Sequence, residues 1–565
     1  MLEIGAAKTE ITTFEPRLGM MGWGMLHNFV ETVATPLHAR AFVLRDPKTD
    51  SRQAIVVCEL AFISLALKEA VCRRLARDHA DLGLGPANLM MLATHTHSGP
   101  GGFTHYPFYN VTIPGFSEHV LEQLAGGVVR ALVDAEAARA PGTMRWAEGA
   151  IDPALEVAFN RSLEAYNKNP DVDKAGPGDA PNALDRTMRM IRFERGDGTP
   201  VGSVNFFAVH CTSVHSDNTA IHFDNKGYAA KFVEEEMAGR GHAGYVAAFA
   251  QGATGDVTPN FRYFKEKPWM RGKFVDDDES ARFNGRIQAD QALLLLEEEG
   301  EVMPDRMAAA HAFTDFSDVE VDAEFVGGRH GLKTAPAEIG MAMFFGTEEG
   351  PGLPRVLVGL QKWLAAARPL LQRVGNGRHR KAYAQFQAEK VPWVETGVRR
   401  MLGIRRLRRL PVPWRLHPAL RLVRALDQDD DEAKPWTPNV LPAQLFVLGS
   451  AAVSAVPGEF TTVAGRRVRS TIGDRLAKMD VTHTVLAGYA NAYAGYVTTP
   501  EEYVVQDYEG ASTHFGKWTL PAWQTWMARL ADGLTEAAAS TALDLGQQTP
   551  PVFSEHELRA RAFPA

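Results

Sequence analysis

Short apolar runs recur along the chain, and each ends in polar residues with chemical capability. Gln53–Leu60, Asn88–Thr96, Val201–His210, Gly244–Phe249 and Gln444–Val456 read as buried strands, because they are brief, rich in Val, Ala, Leu and Phe, and bounded by turn formers. Between them the apolar positions take up a helical period. This predicts helices over Ala66–His79, Ser117–Ala138, Tyr228–Ala238, Phe283–Glu299, Thr461–Ile472 and Pro521–Ala539. Strand then helix, repeated, predicts an α/β fold: a large domain with a mixed β-sheet flanked by helices and ligands at the carboxyl ends of strands. The rhythm breaks over residues 351–435, which contain Trp363, Trp393, Trp414 and the basic run Arg405-Arg406-Leu407-Arg408-Arg409, and close on acidic residues from Asp427 to Glu432. The expected organisation is a first part of the α/β domain over 1–350, a basic helical insertion over 351–435, and a second part with a C-terminal helix over 436–565.

Composition changes this picture in one respect. The hydrophobic fraction of 45% excludes global disorder. Three cysteines (Cys58, Cys72, Cys211) without CxxC spacing exclude a disulfide scaffold and suit a reducing compartment. The net charge of −8, however, conceals a segment of +14 between Lys362 and Arg424, which leaves −22 for the rest. Val398, Met401, Leu402, Ile404, Leu407 and Leu410 interleave with arginines over 399–409. Such a composition suits a helix lying on an anionic membrane, worth roughly 1 kcal/mol per basic residue near the surface. A solvated basic face that pairs with the acidic remainder is the second reading. Nucleic-acid binding ranks last, since no nucleic-acid motif accompanies the charge. The start, MLEIGAAKTEITTFEP, has acidic residues and lacks the apolar core of a signal peptide. The uncharged run Ala443–Gly458 is shorter than the roughly 18 residues of a membrane span. The expectation is a protein without a transmembrane segment, cytoplasmic or peripheral on a membrane.

The densest chemical signal is the segment from Thr94 to Phe103, THTHSGPGGF. Residues two apart on a strand share a face, so His95 and His97 project together. Neutral imidazole is a zinc ligand, and one histidine can bind metal while the other acts as a base; a structural histidine pair is the alternative. The following Gly101 and Gly102 allow close backbone approach to a ligand. His210 closes an apolar strand, either as a ligand or as a residue of the core edge. His215 and His222 read as loop histidines. Gln251 to Asn260 form a Gly- and Pro-shaped turn that either only turns the chain or presents a hydroxyl. Glu459 stands between a strand and a helix, where a carboxylate caps a helix or completes a zinc site. Tyr489, Tyr493, Tyr496, Tyr503 and Tyr508 crowd one short stretch, as a core cluster or as phenols that polarise a carbonyl.

Together these pieces resemble the neutral (alkaline, non-lysosomal) ceramidases. The matching strings are MMGW at 20–23, LHARAFV at 37–43, THTHSGPGGF at 94–103 and Asn160-Arg161-Ser162 running into Tyr166 and Asn169-Pro170. FAVHCTS at 207–213, DNKGYAA at 224–230, GDVTPN at 255–260, PGEFTTVAGRR at 457–467 and YVTTPEEYVVQDYEGAST at 496–513 complete the set, in the family's order over roughly residues 3–520. The resemblance implies a zinc amidohydrolase cleaving the amide of an N-acyl sphingoid base. It implies zinc ligation by His95, His210, Glu459 and Tyr496, with His97 beside the metal as a base. Arg161 and Tyr508 would meet the substrate or its oxyanion. The family's catalytic serine falls on Thr258, whose extra methyl would crowd a nucleophile but not a substrate-binding hydroxyl. This favours attack by zinc-activated water. Two further departures are expected: no C-terminal β-sandwich domain after Thr513, and no secretion signal. A second, structural Ca2+ or Mg2+ is compatible with the sequence but has no assignable ligands. An amidase for another N-acyl lipid or amino compound, and a non-catalytic lipid-binding relative, are the alternatives.

Overall fold

The computed structural model describes residues 1–350, 352, 385–401, 434–537, 542–545 and 548–563. Two sheets lie face to face. The first contains β1 (Leu2–Glu10), β2 (His38–Arg45), β3 (Arg52–Cys58), β4 (Leu89–Ala93), β5 (Ala140–Ala150), β6 (Thr187–Arg195), β7 (Pro200–Phe207), β8 (Val246–Gln251) and β9 (Glu301–Met303). Their order is β8-β7-β6-β5-β1-β2-β3-β4, with β9 on β5. Pairing is antiparallel through the middle and parallel at both margins, β7 with β8 and β3 with β4. The second sheet has the order β13-β12-β11-β10-β14, from β10 (Met307–Asp315), β11 (Val440–Leu448), β12 (Ala451–Ala455), β13 (His483–Ala487) and β14 (Ala542–Asp544).

The alternation of side chains along each strand builds the layers. Phe42, Leu44, Ile55 and Val57 of the first sheet meet Phe446, Leu448, Val453 and Val485 of the second in a shared core. On β2 and β3 the alternate positions Ala39, Ala41, Val43, Ala54 and Val56 face α1 (Leu65–Asp78) and α2 (Glu118–Ala137). Met188 and Met190 of β6 pack with α3 (Asp224–Gly239) and α4 (Asp277–Glu297). Leu445 and Val447 face α5 (Thr462–Leu476) and α6 (Thr519–Glu536) on the far side of the second sheet. The result is a helix–sheet–sheet–helix sandwich. The mixed sheet flanked by helices is as expected, and a second sheet is built where Gln444–Val456 folds back on itself. Gly449, at φ +57°, turns that run between β11 and β12.

Three parallel units, β3-α1-β4, β7-α3-β8 and β12-α5-β13, direct the carboxyl ends of their strands toward one region. β4 leads to His95, β7 to His210, β8 to the 252–258 turn and β12 to Glu459. Within the stretch read as an insertion, Pro392–Glu395 and Arg400–Met401 form a small antiparallel sheet with Ile339–Gly340. Trp363, Trp414 and the 405–409 arginines lie outside the described residues.

Candidate active site

His95 follows β4 with φ +72°, a left-handed conformation that an L residue keeps only when its surroundings impose it. Here they do. Its main-chain N–H donates to the Leu60 carbonyl (2.9 Å), and its ring stacks on Tyr489 at 3.9 Å between centroids. His95 Nδ1 lies 2.6 Å from the Ala61 carbonyl, and His210 Nδ1 lies 2.8 Å from that of Val257. A carbonyl only accepts, so both Nδ1 atoms carry a proton, and Nε2 is the nitrogen that each ring turns toward its other neighbours. His97 Nε2 stands 2.9 Å from His95 Nε2, and the ligand atoms of His95, His97 and His210 all fall within 4.8 Å of one another.

Glu459 closes this group. Its Oε2 lies 3.2 Å from His210 Nε2 and 3.8 Å from His95 Nε2. Tyr489 donates its hydroxyl to Oε2 (3.1 Å), Tyr493 donates to Oε1, and Thr254 supports Tyr489 at 2.7 Å. Burial pushes this carboxyl up, but the two histidines and Tyr493 outweigh it and hold the group well below the usual carboxylate range. Burial lowers His95 to about 3 against the pull of Glu459, and lowers His97 well below its ordinary value. The Nε2 atoms of His95 and His210 and the Glu459 carboxylate thus converge on one point. This is the donor set of a zinc-type ion.

The opposite wall is polar and fully engaged. Arg161 donates through Nε to Glu509 (2.9 Å), through Nη1 to Glu349 (3.0 Å), and through Nη2 to the Gly255 carbonyl (3.0 Å) and the Tyr496 hydroxyl (3.4 Å). Its guanidinium lies 5.7 Å from the centre of the Tyr508 ring, and Tyr508 meets Tyr496 edge-on at 5.5 Å. Glu459 and Tyr496 are directly opposed in the short parallel pairing of Glu459–Phe460 with Tyr496–Val497, so Tyr496 sits beside the imidazole group. Thr258 is buried; its hydroxyl accepts from the Asn260 main-chain N–H (3.1 Å) and lies near Glu349. Two carboxylates, Glu349 and Glu509, pair with the one Arg161 guanidinium, and Glu459 stands across the site on the imidazoles.

His95, His97, His210, Glu459, Tyr496, Arg161, Tyr508 and Thr258 therefore gather in one place. Gly101 and Gly102 are held in close backbone packing. A side chain at Gly101 would strike the Gly19 carbonyl and Ile113, and Gly102 (φ +78°) packs by Ser117, so backbone packing accounts for both. Tyr503 turns away, donating to the Gln387 carbonyl at 2.8 Å. Sequence reasoning passed over Glu349, Glu509, Asn260 and Gly22-Trp23. A side chain on Gly22 (φ +130°) would strike the His97 ring, and Trp23 meets that ring edge-on at 5.1 Å. Trp23 lay in a quoted motif; Glu349 carried no signal. Among the described residues, only the histidine triad gathers metal-binding side chains, and no ligand set for a second ion forms.

The family model for neutral/alkaline non-lysosomal ceramidase, N-terminal, matches residues 2–404 and 424–525. The chain belongs to this family. It is 33% identical over 533 residues to the neutral ceramidase of Pseudomonas aeruginosa, covering 94% of this chain and 72% of that protein. With the neutral ceramidase of Mycobacterium tuberculosis it shares 32% over 558 residues, covering 98% and 79%. Among solved structures, a ceramidase complexed with C2 superposes with a TM-score of 0.80 at 31% identity, covering 98% of this chain and 78% of that one. The crystal structure of the Pseudomonas aeruginosa neutral ceramidase gives 0.76 at 30%, covering 96% and 76%. Ceramidases are hydrolases, and the four-layered fold is the one these neighbours share. No helix among the described residues is long and apolar enough to cross a membrane.

Proposed function

We propose that this family member hydrolyses the N-acyl amide of ceramide-like sphingolipids to a sphingoid base and a fatty acid, with a zinc ion held by His95, His210, Glu459 and Tyr496. One observation carries the metal reading: His95 and His210 have Nδ1 committed to main-chain carbonyls and turn both Nε2 atoms toward the Glu459 carboxylate. An ion held there supplies Lewis acidity, which polarises an acyl oxygen and lowers the pKa of water to about 7.

The chain's own groups do the rest. His97 has no hydrogen-bond partner at Nδ1 among the described residues, unlike His95 and His210. It is thus free to change tautomer, taking a proton from the attacking water and returning it to the leaving amine. Burial keeps the Tyr508 phenol well above its ordinary range, so it stays protonated as a donor, and with Arg161 it faces the developing oxyanion. Thr258 lies by the Glu349 that holds Arg161, Asn260 and Thr212, and among the described residues no imidazole bonds to its hydroxyl, which supports substrate binding over nucleophilic attack. The basic stretch 362–424, within 351–435, is assigned the role of bringing the enzyme to a lipid surface; the support is its charge and interleaved apolar residues.

The test pairs metal analysis with hydrolysis of labelled ceramide and of a panel of N-acyl amino sugars and amino acids. One equivalent of zinc, ceramide cleavage abolished by a chelator, and recovery on adding Zn2+ are expected. Zinc-loaded protein that cleaves only other N-acyl compounds overturns the substrate. Protein that binds ceramide but neither metal nor turns it over overturns the enzyme reading in favour of a lipid-binding relative.

A further inference from the structure

Glu349 is a buried carboxylate that joins four parts of the site. Its Oε1 accepts from Arg161 Nη1 at 3.0 Å; its Oε2 accepts from Asn260 Nδ2 at 2.9 Å and Thr212 Oγ1 at 3.2 Å; the Thr258 hydroxyl lies near enough to help hold its charge. Burial pushes the group up, but Arg161, His210 and these donors hold it below the usual carboxylate range, so it is an anion. Arg161 already has Glu509 on Nε and does not need Glu349 for charge balance. A second buried carboxylate costs desolvation that one shared guanidinium does not return in full. What it provides is geometry. Glu509 and the Gly255 carbonyl grip Nε and Nη2, and Glu349 grips the remaining arm, Nη1. The same carboxylate sets the Thr258 hydroxyl through Asn260, whose N–H donates to it.

The main chain around Glu349 is anchored independently. Its carbonyl meets His215 Nε2, the Glu348 carbonyl accepts from the Met270 N–H at 3.1 Å, and Gly350 packs on Trp23, which itself meets His97. Removal of the carboxylate charge therefore need not release the segment.

We infer that Glu349 is a positioning residue: it aims the Arg161 guanidinium and the Thr258 hydroxyl at the reacting amide. For the roles of Arg161 and Thr258 this rests on the amidase reading above, whereas the positioning itself does not. Because an aimed guanidinium acts on charge that develops in the transition state, loss of aim lowers kcat with little change in KM.

The experiment compares Glu349→Gln, Glu349→Asp, Arg161→Ala and the double variant Glu349→Gln/Arg161→Ala. In a crystal structure of Glu349→Gln the Arg161 guanidinium is displaced by about 1 Å or more, a misplacement that can cost up to about 100-fold in rate. A kcat reduced about 30-fold at nearly constant KM and unchanged zinc content is expected, with Glu349→Asp intermediate and the effect below about threefold once Arg161 is absent. Arg161 unmoved in the variant structure, or a kcat loss that persists undiminished in the Arg161→Ala background, overturns the inference. Should Glu349→Gln fail to fold, Glu349→Asp decides by the same displacement and the same kcat against KM split. A wild-type protein inactive on ceramide sinks the functional reading alone, since the position of Arg161 is read from the structure.

Discussion

His95 and His210 are held by main-chain carbonyls of Ala61 and Val257, whereas Arg161 is held mainly by the side chains of Glu349 and Glu509, remote in sequence from it and from each other. The imidazole half thus inherits its geometry from strand ends, which the whole sandwich supports. The guanidinium half depends on a network of side chains, in which each member has partners that react to its loss. The first half should fail by losing its ion. The second should fail by losing aim while the ion stays.

The largest effect expected is at the imidazole half. His210→Ala or His95→Ala abolishes stoichiometric zinc and lowers kcat/KM at least about 1000-fold, read by metal analysis and ceramide hydrolysis. Activity within tenfold of wild type would break the assignment of this half to the metal. Next, Arg161→Ala lowers kcat/KM about 100-fold while zinc content is retained. If zinc is lost too, the halves are one unit and the comparison fails. Tyr493→Phe removes a donor to Glu459 and weakens zinc affinity by about 10-fold in a chelator competition, with the saturated enzyme within about threefold of wild type. Thr258→Ser is the smallest change in the site, with kcat within about threefold if the hydroxyl only binds substrate; a gain of tenfold or an acyl group trapped on residue 258 would instead mark a nucleophile slowed by its methyl. Outside both halves, replacing Arg405, Arg406, Arg408 and Arg409 by Ala should weaken binding to anionic vesicles and leave hydrolysis of a soluble short-chain substrate unchanged. Equal binding to anionic and neutral vesicles by the wild type removes the membrane role.

Much of the fold was legible. The strands before His95, before His210 and before the 252–258 turn, and the six long helices among the described residues, fall where apolar runs and periods predict them, with ends shifted by a few residues. The strands β1, β5 and β6 were passed over because charged residues interrupt them. In β6, Met188 and Met190 pack toward the helices and Ile191 and Phe193 toward the second sheet, while Arg192 reaches the carbonyls of Leu296, Glu298 and Glu299 at the end of α4. A charged side chain with such an outlet is compatible with a buried sheet, but nothing local announces the outlet. The site divides in the same way. His95, His97, His210, Glu459, Tyr496 and Tyr508 sit in recognisable motifs, but Glu349, second of the pair Glu348-Glu349, sits in none of them, and its hydrogen-bond partners come from elsewhere in the chain.

The sequence by itself determined the chemical inventory: imidazoles and a carboxylate at strand ends, an arginine and phenols nearby, and the family to which these motifs belong. Strand-end placement is a local property, set by where an apolar run stops. Only the tertiary structure decided that two sheets stack, that main-chain carbonyls select the Nε2 face of His95 and His210, that Gly101 and Gly102 serve backbone packing, and that Glu349 joins Arg161 to Thr258. Each of these depends on contacts between segments far apart in the chain, whose energies come from shared burial and mutual hydrogen bonding and are therefore invisible to any local pattern.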